Sequence, residues 1–471
     1  MTDSAQSAPA RVQWLGALLV VLAGAGALSP VLGNGFLYVA FDDPGFVTEV
    51  ETIGPWTWQR LWMCFDRFYL YDYVPLPMVS FLLEYQLWGL DPLGYHATNL
   101  LFHVLNAVLV QRWVSRTLDS AVAGVLAGVV FAVHPVQVEA VAIVAQRKTL
   151  LAAFFLLLAL LAYGRYKAGG SSVWNGAGLV AFAAACLSKS SVVPFPLLLF
   201  LYDWLRTERC EWRSKWGYFV LAAATALLSA YAKMGVVVQA PHGESVWVSA
   251  LVVGQVWWEY LVALFAPAGL APAYYYQRSQ IGSPLNYVSL LGLLVLALSV
   301  WRMRQRMRRT AFTLAWIGLC LLPVSNIVPI AVLRADRYLY LPMIAFSLWV
   351  GALLACARLR EGGKRWALGT ALALWCTALA WQSHAYAAVF RDDVTARGRA
   401  VERHPWAAPA HYLLALAWIQ RGDWQQAHAA AQAALQRDPQ FSRAQELLAR
   451  LEAADPVLRP AGETGNAEAG K

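Results

Sequence analysis

Charged residues are scarce in this chain of 471 amino acids, of which only 14% are Asp, Glu, Lys or Arg. A water-soluble domain carries nearer about 25% charged residues, so this composition argues against an ordinary soluble protein. Hydrophobic residues make up 59% of the chain, and the mean hydropathy is positive. So much apolar surface needs lipid as well as a protein core, and we therefore expect an integral membrane protein.

Cysteines are also few. They show no paired or metal-ligand spacing, and most lie inside apolar segments. The sequence therefore predicts neither a disulfide framework nor a zinc site. The six cysteines are Cys64, Cys186, Cys210, Cys320, Cys356 and Cys376.

Long apolar runs take the place of charge. An apolar helix of about 20 residues crosses the hydrocarbon of a bilayer, and the runs predict an all-α, polytopic domain over residues 12–384 with about 11–13 spans. Trp247–Phe265 is also apolar but contains Glu259 and ends near Pro267, so it is either a span or a re-entrant or tilted segment. The clearest runs are Val12–Leu32, His96–Val114, Ala121–Val144, Leu150–Tyr166, Val173–Leu187, Val192–Leu205, Trp216–Met234, Tyr287–Trp301, Ala311–Ile330, Leu339–Ala357 and Trp366–Ser383.

The first run is long for the apolar region of a signal peptide, and residues 1–11 before it are only weakly basic. We therefore expect an uncleaved anchor with a cytoplasmic N-terminus.

Lysine and arginine gather in alternate loops. By the positive-inside rule their shared face is cytoplasmic, provided that Trp247–Phe265 adds no full crossing. The formal net charge of +9 is then a topology signal, and no nucleic-acid partner is expected. A basic patch for a soluble acidic partner is the alternative. The basic loops contain Arg112 and Arg116; Arg165 and Lys167; Arg206, Arg209, Arg213 and Lys215; Arg302, Arg304, Arg306, Arg308 and Arg309; and Arg358, Arg360, Lys364 and Arg365.

The C-terminal segment 385–454 shows a helical-repeat pattern. Large and small residues recur as in tetratricopeptide repeats, whose period is roughly 34 residues. Stable arrays need about three units or more, so this short array is expected to lean on the membrane domain, a second copy or a protein partner. A helical hairpin without a ligand is the alternative, and the tail 455–471 is expected to be disordered. The pattern residues are Leu414, Ala415, Trp418, Gly422, Ala427, Ala434 and Pro439.

The face opposite the basic loops holds residues 34–75, 235–286 and everything after 383. Adjacent acids, Asp42 and Asp43, follow the first span at the expected membrane surface. A low dielectric there raises a carboxylate pKa toward that of a useful general base. The alternative is a loop carboxylate that forms an Asx-turn before Pro44.

Cations from three separated segments reach the same level of the membrane. A cation suits a phosphate group and an acid suits removal of a hydroxyl proton, and ionisable residues at membrane depth are usually functional. For Arg334 and Arg337, each taken singly, the alternative is pairing with Asp336 or snorkelling to headgroups. The cations are Arg147, Lys148, Lys189, Arg334 and Arg337.

Further polar residues are candidates for lining such a site. His96, Asn99 and His103 share one helical face, although hydrogen bonding between helices is the commoner use of such residues. His134 and Glu139 have no third ligand nearby, so a metal is unsupported there. Binding of a divalent ion by the carboxylate oxygens of Asp42 and Asp43 stays an alternative. The candidate lining residues are His96, His134, Glu139 and Tyr338.

Five blocks of sequence follow one another along the chain: FDDPGFV, LWGLDPLGYHATNLLFHVLNAVLV, FAVHPVQVEAVAIVAQRKTLLAAFFLLLALLAYGRY, CLSKSSVVPFPLLLFLYDW and LLPVSNIVPIAVLRADRYLYLP. In this order they resemble bacterial relatives of the transmembrane-and-tetratricopeptide-repeat protein O-mannosyltransferases. That family belongs to the GT-C superfamily of membrane glycosyltransferases, and the resemblance extends over nearly the whole chain.

The resemblance implies a GT-C-type membrane domain and a transferase of the bacterial inner membrane with periplasmic repeats. Direct displacement with an Asp general base would make this enzyme inverting. Its donor would be a sugar on a polyprenyl phosphate, its acceptor Ser or Thr of proteins, and it would need no cofactor. The acidic role of the first outer loop would fall on Asp42, with Asp43 as neighbour or alternate. The family carries an Arg-Pro pair where this chain has Val74-Pro75, and the repeat array is shorter than in animal relatives. The polyprenyl tail would lie near Trp257, Trp258 and Tyr274–Tyr276, unless these aromatics form the interfacial belt.

Two other functions stay open from the sequence. A transferase of the same superfamily could use a lipid or polysaccharide acceptor, although the repeats favour a protein acceptor or an envelope partner. A non-catalytic envelope scaffold would use the membrane part only as an anchor, and the outer acids and cations would then have no joint purpose. A transporter fits poorly, because no paired broken spans mark a midplane site.

Overall fold

The computed structural model describes residues 10–234, 246–277, 283–326, 332–357 and 363–454. The predicted all-α class is confirmed, since these residues contain only helices, turns and one isolated bridge between Tyr69 and Asp72. The predicted tail 455–471 lies outside the described residues. The α-helices are α1 (Ala10–Leu28), α2 (Trp58–Asp66), α3 (Pro75–Trp88), α4 (Pro92–Thr117), α5 (Ala121–Val133), α6 (Val138–Ala142), α7 (Arg147–Lys167), α8 (Ser172–Cys186), α9 (Phe195–Arg206), α10 (Trp216–Ala232), α11 (Val246–Phe265), α12 (Pro284–Met303), α13 (Arg308–Leu321), α14 (Pro342–Ala357), α15 (Gly363–Ala387), α16 (Asp393–Arg403), α17 (Ala408–Arg421), α18 (Trp424–Arg437) and α19 (Ser442–Ala454).

Several of these helices suit a bilayer. Within the described residues, four are long and apolar enough to cross it, and a bent pair over residues 121–142 would make a fifth. The other apolar runs correspond to shorter or less apolar helices, so the larger number of spans stays a prediction. The four are Val12–Gly33, Pro92–Thr117, Val144–Lys167 and Pro284–Met303.

Helix α5 lies in the middle of the bundle and packs against α1, α4 and α14. Its small residues allow this close packing. A Cβ on Gly124 would lie 1.9 Å from Oγ of Ser115 and 2.6 Å from the carbonyl oxygen of Gln111, both on α4. Glycine at such a contact lets two helix backbones approach closely inside a membrane protein.

The predicted span Ala121–Val144 is wrong as one continuous helix. Helix α5 ends at Val133, and the chain bends by 55° into a short helical stretch from Pro135 to Ala142. Proline has no amide hydrogen and disfavours helical geometry in the residue before it, here His134. This break carries Glu139 and the start of α7 to one end of the bundle.

Two further segments correspond to helices. The Trp247–Phe265 segment lies in one uninterrupted helix, α11. The repeat helices α16 to α19 pack consecutively, with Ala415, Ala427 and Ala431 buried between them. Gly422 has a positive φ of 81° at the end of α17, and Asp423 then caps α18. These are the turn residues expected between two packed helices.

Candidate active site

Asp43 anchors residues 34–75, the predicted outer loop, which carry the acidic pair. Its side chain is fully buried, and its two oxygens accept hydrogen bonds from the amides of Leu37, at 3.1 Å, and Ala145, at 2.7 Å. Burial raises the pKa of Asp43 to about 7. Both oxygens are occupied by backbone donors, so this carboxyl group ties the loop to the segment before α7 and is closed to an incoming substrate.

Asp42 points the other way, toward a group of cations. Its side chain is 39% exposed, and its Oδ2 lies 3.2 Å from Nζ of Lys148 and 3.5 Å from Nε2 of Gln146. Burial favours a higher pKa, but Lys148, Arg337 and Lys189 outweigh it and lower the pKa of Asp42. The raised pKa expected for a general base is therefore not found at Asp42, whose carboxylate is ionised at neutral pH and open to a hydroxyl group.

A second carboxylate, Asp72, shares Lys148. Its Oδ2 lies 3.5 Å from the Lys148 ammonium, which also lies 4.5 Å from the centre of the Phe46 ring. Asp72 closes a tight turn in which Leu70 and Tyr71 both have positive φ, at 46° and 64°. Such values are rare for residues with a Cβ, and strained turns cluster at functional sites. Sequence reasoning missed Asp72, although its place in the acidic and aromatic YDY run of the outer loop was a signal.

Lys189 and Arg337 line a small cleft beside this group. The ammonium of Lys189 donates a hydrogen bond of 2.8 Å to Oγ1 of Thr149, the residue that follows Lys148. Burial beside Lys148 and Arg337 lowers the pKa of Lys189 to about 7. The cleft is lined by Thr149, Ala152, Lys189, Ser191, Cys320, Val324, Arg337, Tyr338 and Leu341.

Glu139 holds Arg337 in place. Its carboxylate pairs with the Arg337 guanidinium and accepts the Arg337 amide at 2.8 Å. Glu139 is almost fully buried at the break between α5 and α7. Burial opposes the charge of Arg337, but Glu139 dominates and raises the pKa of Arg337. Glu139 therefore orients a cation of the cleft.

Arg147 does not face this group. Its buried guanidinium contacts Glu84, with oxygens at 2.6 and 3.3 Å, and Oδ1 of Asn99 at 2.5 Å. It also donates to the carbonyl of Tyr95 at 2.9 Å. The guanidinium is fully occupied inside the bundle, so this geometry argues for a structural role and against the phosphate-binding role expected from the sequence.

Arg334 belongs to a neighbouring cluster of its own. It lies 2.5 Å from Oε2 of Glu259 and 4.0 Å from the ring centre of Tyr274. Tyr274 and Tyr386 donate to the two oxygens of Asp336, at 2.6 and 3.1 Å. Burial raises the pKa of Asp336 to about 7. Arg337 is among the cations that lower the pKa of Asp42, whereas Arg334 is not.

His96, His103 and His134 are buried inside the helix bundle. His96 Nε2 is 3.3 Å from the carbonyl oxygen of Gly35, and His134 bridges the Leu264 carbonyl and the Val136 amide. His103 bonds the Tyr340 hydroxyl at 2.9 Å. The polar face of α4 thus serves hydrogen bonding between helices, the alternative given for it above.

An apolar groove opens among α11, α12, α13 and α14. It has a volume of about 300 Å³ and contains Trp258, one of the aromatics expected beside a lipid tail. Its lining residues are Trp258, Leu261, Val262, Leu264, Phe265, Leu296, Thr310, Thr313, Leu314, Ile317, Phe346 and Trp349.

Comparisons with known proteins found one matching family model and several proteins of similar sequence. A family model described as a tetratricopeptide repeat matches residues 398–451. Protein O-mannosyl-transferase TMTC3 of Homo sapiens is 35% identical over 135 residues, which are 28% of this chain and 15% of that protein. Protein O-mannosyl-transferase Tmtc2 of Drosophila melanogaster is 35% identical over 190 residues, 37% of this chain and 20% of that protein.

The matches with these relatives thus span about a fifth of their length or less. Among solved structures, ArnT from Cupriavidus metallidurans bound to undecaprenyl phosphate aligns over 94% of this chain and 78% of that chain. Its identity of 15% and TM-score of 0.44 are too low to support an assignment. By sequence, this chain is a homologue of protein O-mannosyl-transferases over the aligned part of its length.

Proposed function

We propose that this protein is a membrane glycosyltransferase. It moves a sugar from a polyprenyl-phosphate carrier to a hydroxyl group on the outer, periplasmic face of a bacterial inner membrane. The observation that carries the proposal is the open carboxylate of Asp42 beside Lys148, with Lys189 and Arg337 in the adjoining cleft. Homology to protein O-mannosyltransferases supports the same reaction class.

The proposed chemistry is a single displacement. The acceptor O–H donates its proton to Asp42 while its oxygen attacks the anomeric carbon. The bond between that carbon and the phosphate oxygen breaks, and the electron pair leaves with the lipid phosphate. Lys189 and Arg337 stabilise the charge that develops on this leaving group. Attack from the side opposite the phosphate inverts the anomeric centre.

Other residues have supporting roles in this proposal. Lys148 is held by Asp42 and Asp72 and reaches the site from the start of α7. Glu139 orients Arg337, and Tyr338 lines the cleft. Arg147, Arg334, His96 and His134 have no role in the transfer step, because each is engaged elsewhere in the structure.

The carrier tail needs an apolar surface next to the cleft. The groove among α11 to α14 is the candidate, because Phe265, Phe346 and Trp349 line it and its Ile317 lies one helical turn before Cys320 of the cleft on α13. The proposal assigns this groove to the first isoprene units of the carrier. Its lining is predominantly aliphatic and aromatic, which suits a hydrocarbon chain.

The acceptor in this proposal is a Ser or Thr hydroxyl of a periplasmic protein. The repeat helices α16 to α19 support a protein acceptor, because stacked helical repeats form extended surfaces for proteins. A lipid or polysaccharide acceptor would use the same donor chemistry and is a distinct outcome of the test below.

The test compares wild-type protein with Asp42→Asn in reconstituted membranes. Polyprenyl-phosphate mannose and its glucose and galactose analogues are supplied as donors, and added mass is measured on candidate periplasmic proteins and on lipids. We expect Asp42→Asn to lower the transfer rate on the order of a hundredfold or more. The matched control is Asp66→Asn, a carboxylate of the same outer loop that does not contact Lys148.

Three outcomes separate the candidates. Transfer to lipid alone would favour the second acceptor class. Full activity of Asp42→Asn would remove Asp42 as the base. A wild-type protein that transfers no sugar from any donor, yet still captures an envelope protein, would favour the scaffold function.

A further inference from the structure

The first repeat helix holds the backbone that leads to Asp42. Asp393, at the start of α16, is buried and accepts three hydrogen bonds from two consecutive amides of the outer loop. Its Oδ2 accepts from Tyr38 at 2.9 Å, and its Oδ1 accepts from Tyr38 at 3.2 Å and Val39 at 2.9 Å. The repeats therefore touch the loop four residues before the candidate base.

A second side chain of the same helix grips the same loop. Arg397 donates through Nε and Nη2 to the carbonyl oxygen of Val39, with the Nε bond at 3.0 Å. Its guanidinium also lies 4.0 Å from the centre of the Phe41 ring, directly before Asp42. Asp393 and Arg397 are one helical turn apart, so both face the loop together.

The backbone between these contacts and Asp42 is strained. Ala40 has a φ of 54°, in the left-handed region that residues with a Cβ avoid. Such a conformation persists only where the surrounding structure fixes it. Here α16 fixes Tyr38 and Val39 on one side of Ala40, and the buried Asp43 fixes the other side through Ala145.

We propose that Asp393 and Arg397 are positioning residues for Asp42, so that the repeat domain completes the geometry of the transfer site. This inference rests on the proposed function. Asp393 and Arg397 act through the backbone of residues 38–41 and do not touch the substrate. Loss of their contacts lets Ala40 relax and moves the Asp42 carboxylate away from the acceptor oxygen.

A positioning role differs from mere docking of the repeats. Misplacing a base lowers the turnover number but leaves the binding of the lipid phosphate intact, since Lys189 and Arg337 are unchanged. If the contacts served only to dock the repeats, losing them would lower the free energy of unfolding and leave kcat per folded molecule unaltered. The split between kcat and the donor KM therefore distinguishes the two.

The experiment uses the full chain in nanodiscs and compares Asp393→Ala with Asp392→Ala. The control removes the neighbouring carboxylate, which caps α16 through Thr395 but makes no bond to the loop. We expect Asp393→Ala to lower kcat on the order of tenfold to a hundredfold while the donor KM changes by less than about threefold. Hydrogen exchange should also accelerate in residues 37–43 of this variant and not of the control.

Arg397→Gln tests the same loop through a different contact, in case Asp393→Ala fails to fold. It should show the same split with a smaller fall in kcat, and Asp393→Glu should recover part of the loss. Unchanged kcat in folded Asp393→Ala and Arg397→Gln, in an enzyme that Asp42→Asn disables, would overturn the positioning role alone. Full activity of Asp42→Asn would overturn the proposed base and the positioning role together.

Discussion

Asp42 and Asp43 are adjacent, yet the fold gives them opposite environments. Asp43 lies inside the loop against two backbone amides, and Asp42 lies at the surface against Lys148. Burial raises the pKa of one carboxyl group, and surrounding cations lower the pKa of the other. The sequence could not separate the two acids, because consecutive loop residues share every property that a sequence pattern records.

We expect Asp43→Asn to act on stability. The amide side chain keeps one acceptor oxygen, so one of the two backbone amides loses its partner. An unpaired buried group costs about 1–3 kcal/mol, and thermal unfolding in detergent would measure the fall. Transfer per folded molecule should decline far less than in Asp42→Asn. A variant with wild-type stability and no activity would reverse the roles of the two acids.

Lys189 should make donor binding depend on pH. Its pKa is lowered to about 7 by burial near Lys148 and Arg337, with Asp72 and Asp42 opposing. The lysine is charged below that pH and neutral above it, so the affinity for an anionic lipid phosphate should fall as pH rises from 6 to 8. The loss should approach about tenfold per pH unit above 7.

Titration of nanodisc-embedded protein with polyprenyl-phosphate mannose at several pH values would measure this. Lys189→Met should bind weakly and show a flat profile. The matched control is Lys167→Met, at the far end of α7. An unchanged profile in Lys189→Met would mean that another group titrates.

At the scale of elements, the first two residues of α7, Arg147 and Lys148, are cations with different roles. Consecutive helical residues point about 100° apart, so Arg147 enters the bundle while Lys148 faces the outer loop. Arg147 joins α7 to Glu84 on α3 and to Asn99 on α4. The pair fixes the direction in which α7 leaves the broken segment, and with it the position of Lys148.

We expect Arg147→Met to destabilise the protein severely, since Glu84 would be left buried without its partner. Removing one member of a buried ion pair costs about 3–5 kcal/mol. Arg147→Met combined with Glu84→Gln should recover part of that loss, as measured by folded yield and thermal unfolding. If Arg147→Met folded normally and failed only in donor binding, Arg147 would be a phosphate ligand after all.

At the scale of the whole molecule, the repeats and the outer loop meet although more than 350 positions separate them in sequence. Asn34 bonds the Ala387 carbonyl and the Gly35 amide bonds the Arg391 carbonyl, next to the contacts of Asp393. The short array therefore leans on the membrane domain, one of the three supports considered from its length.

The sequence by itself determined the helical class, the apolar segments, the repeats and the neighbourhood of the acidic pair. Those features depend on local composition and period, which a single chain displays directly. It also brought Asp42, Lys148, Lys189 and Arg337 into one hypothesis, because ionisable residues are rare near a membrane.

Only the tertiary structure decided which charges meet. Arg147 and Arg334 looked equal to Lys148 and Arg337 in sequence, but carboxylate partners on α3 and α11 engage them elsewhere. Asp72 and Asp393 emerged only in three dimensions. The packing of distant helices, and the free-energy cost of leaving a buried ion unpaired, determine which residue pairs with each charged side chain. A local sequence pattern records neither.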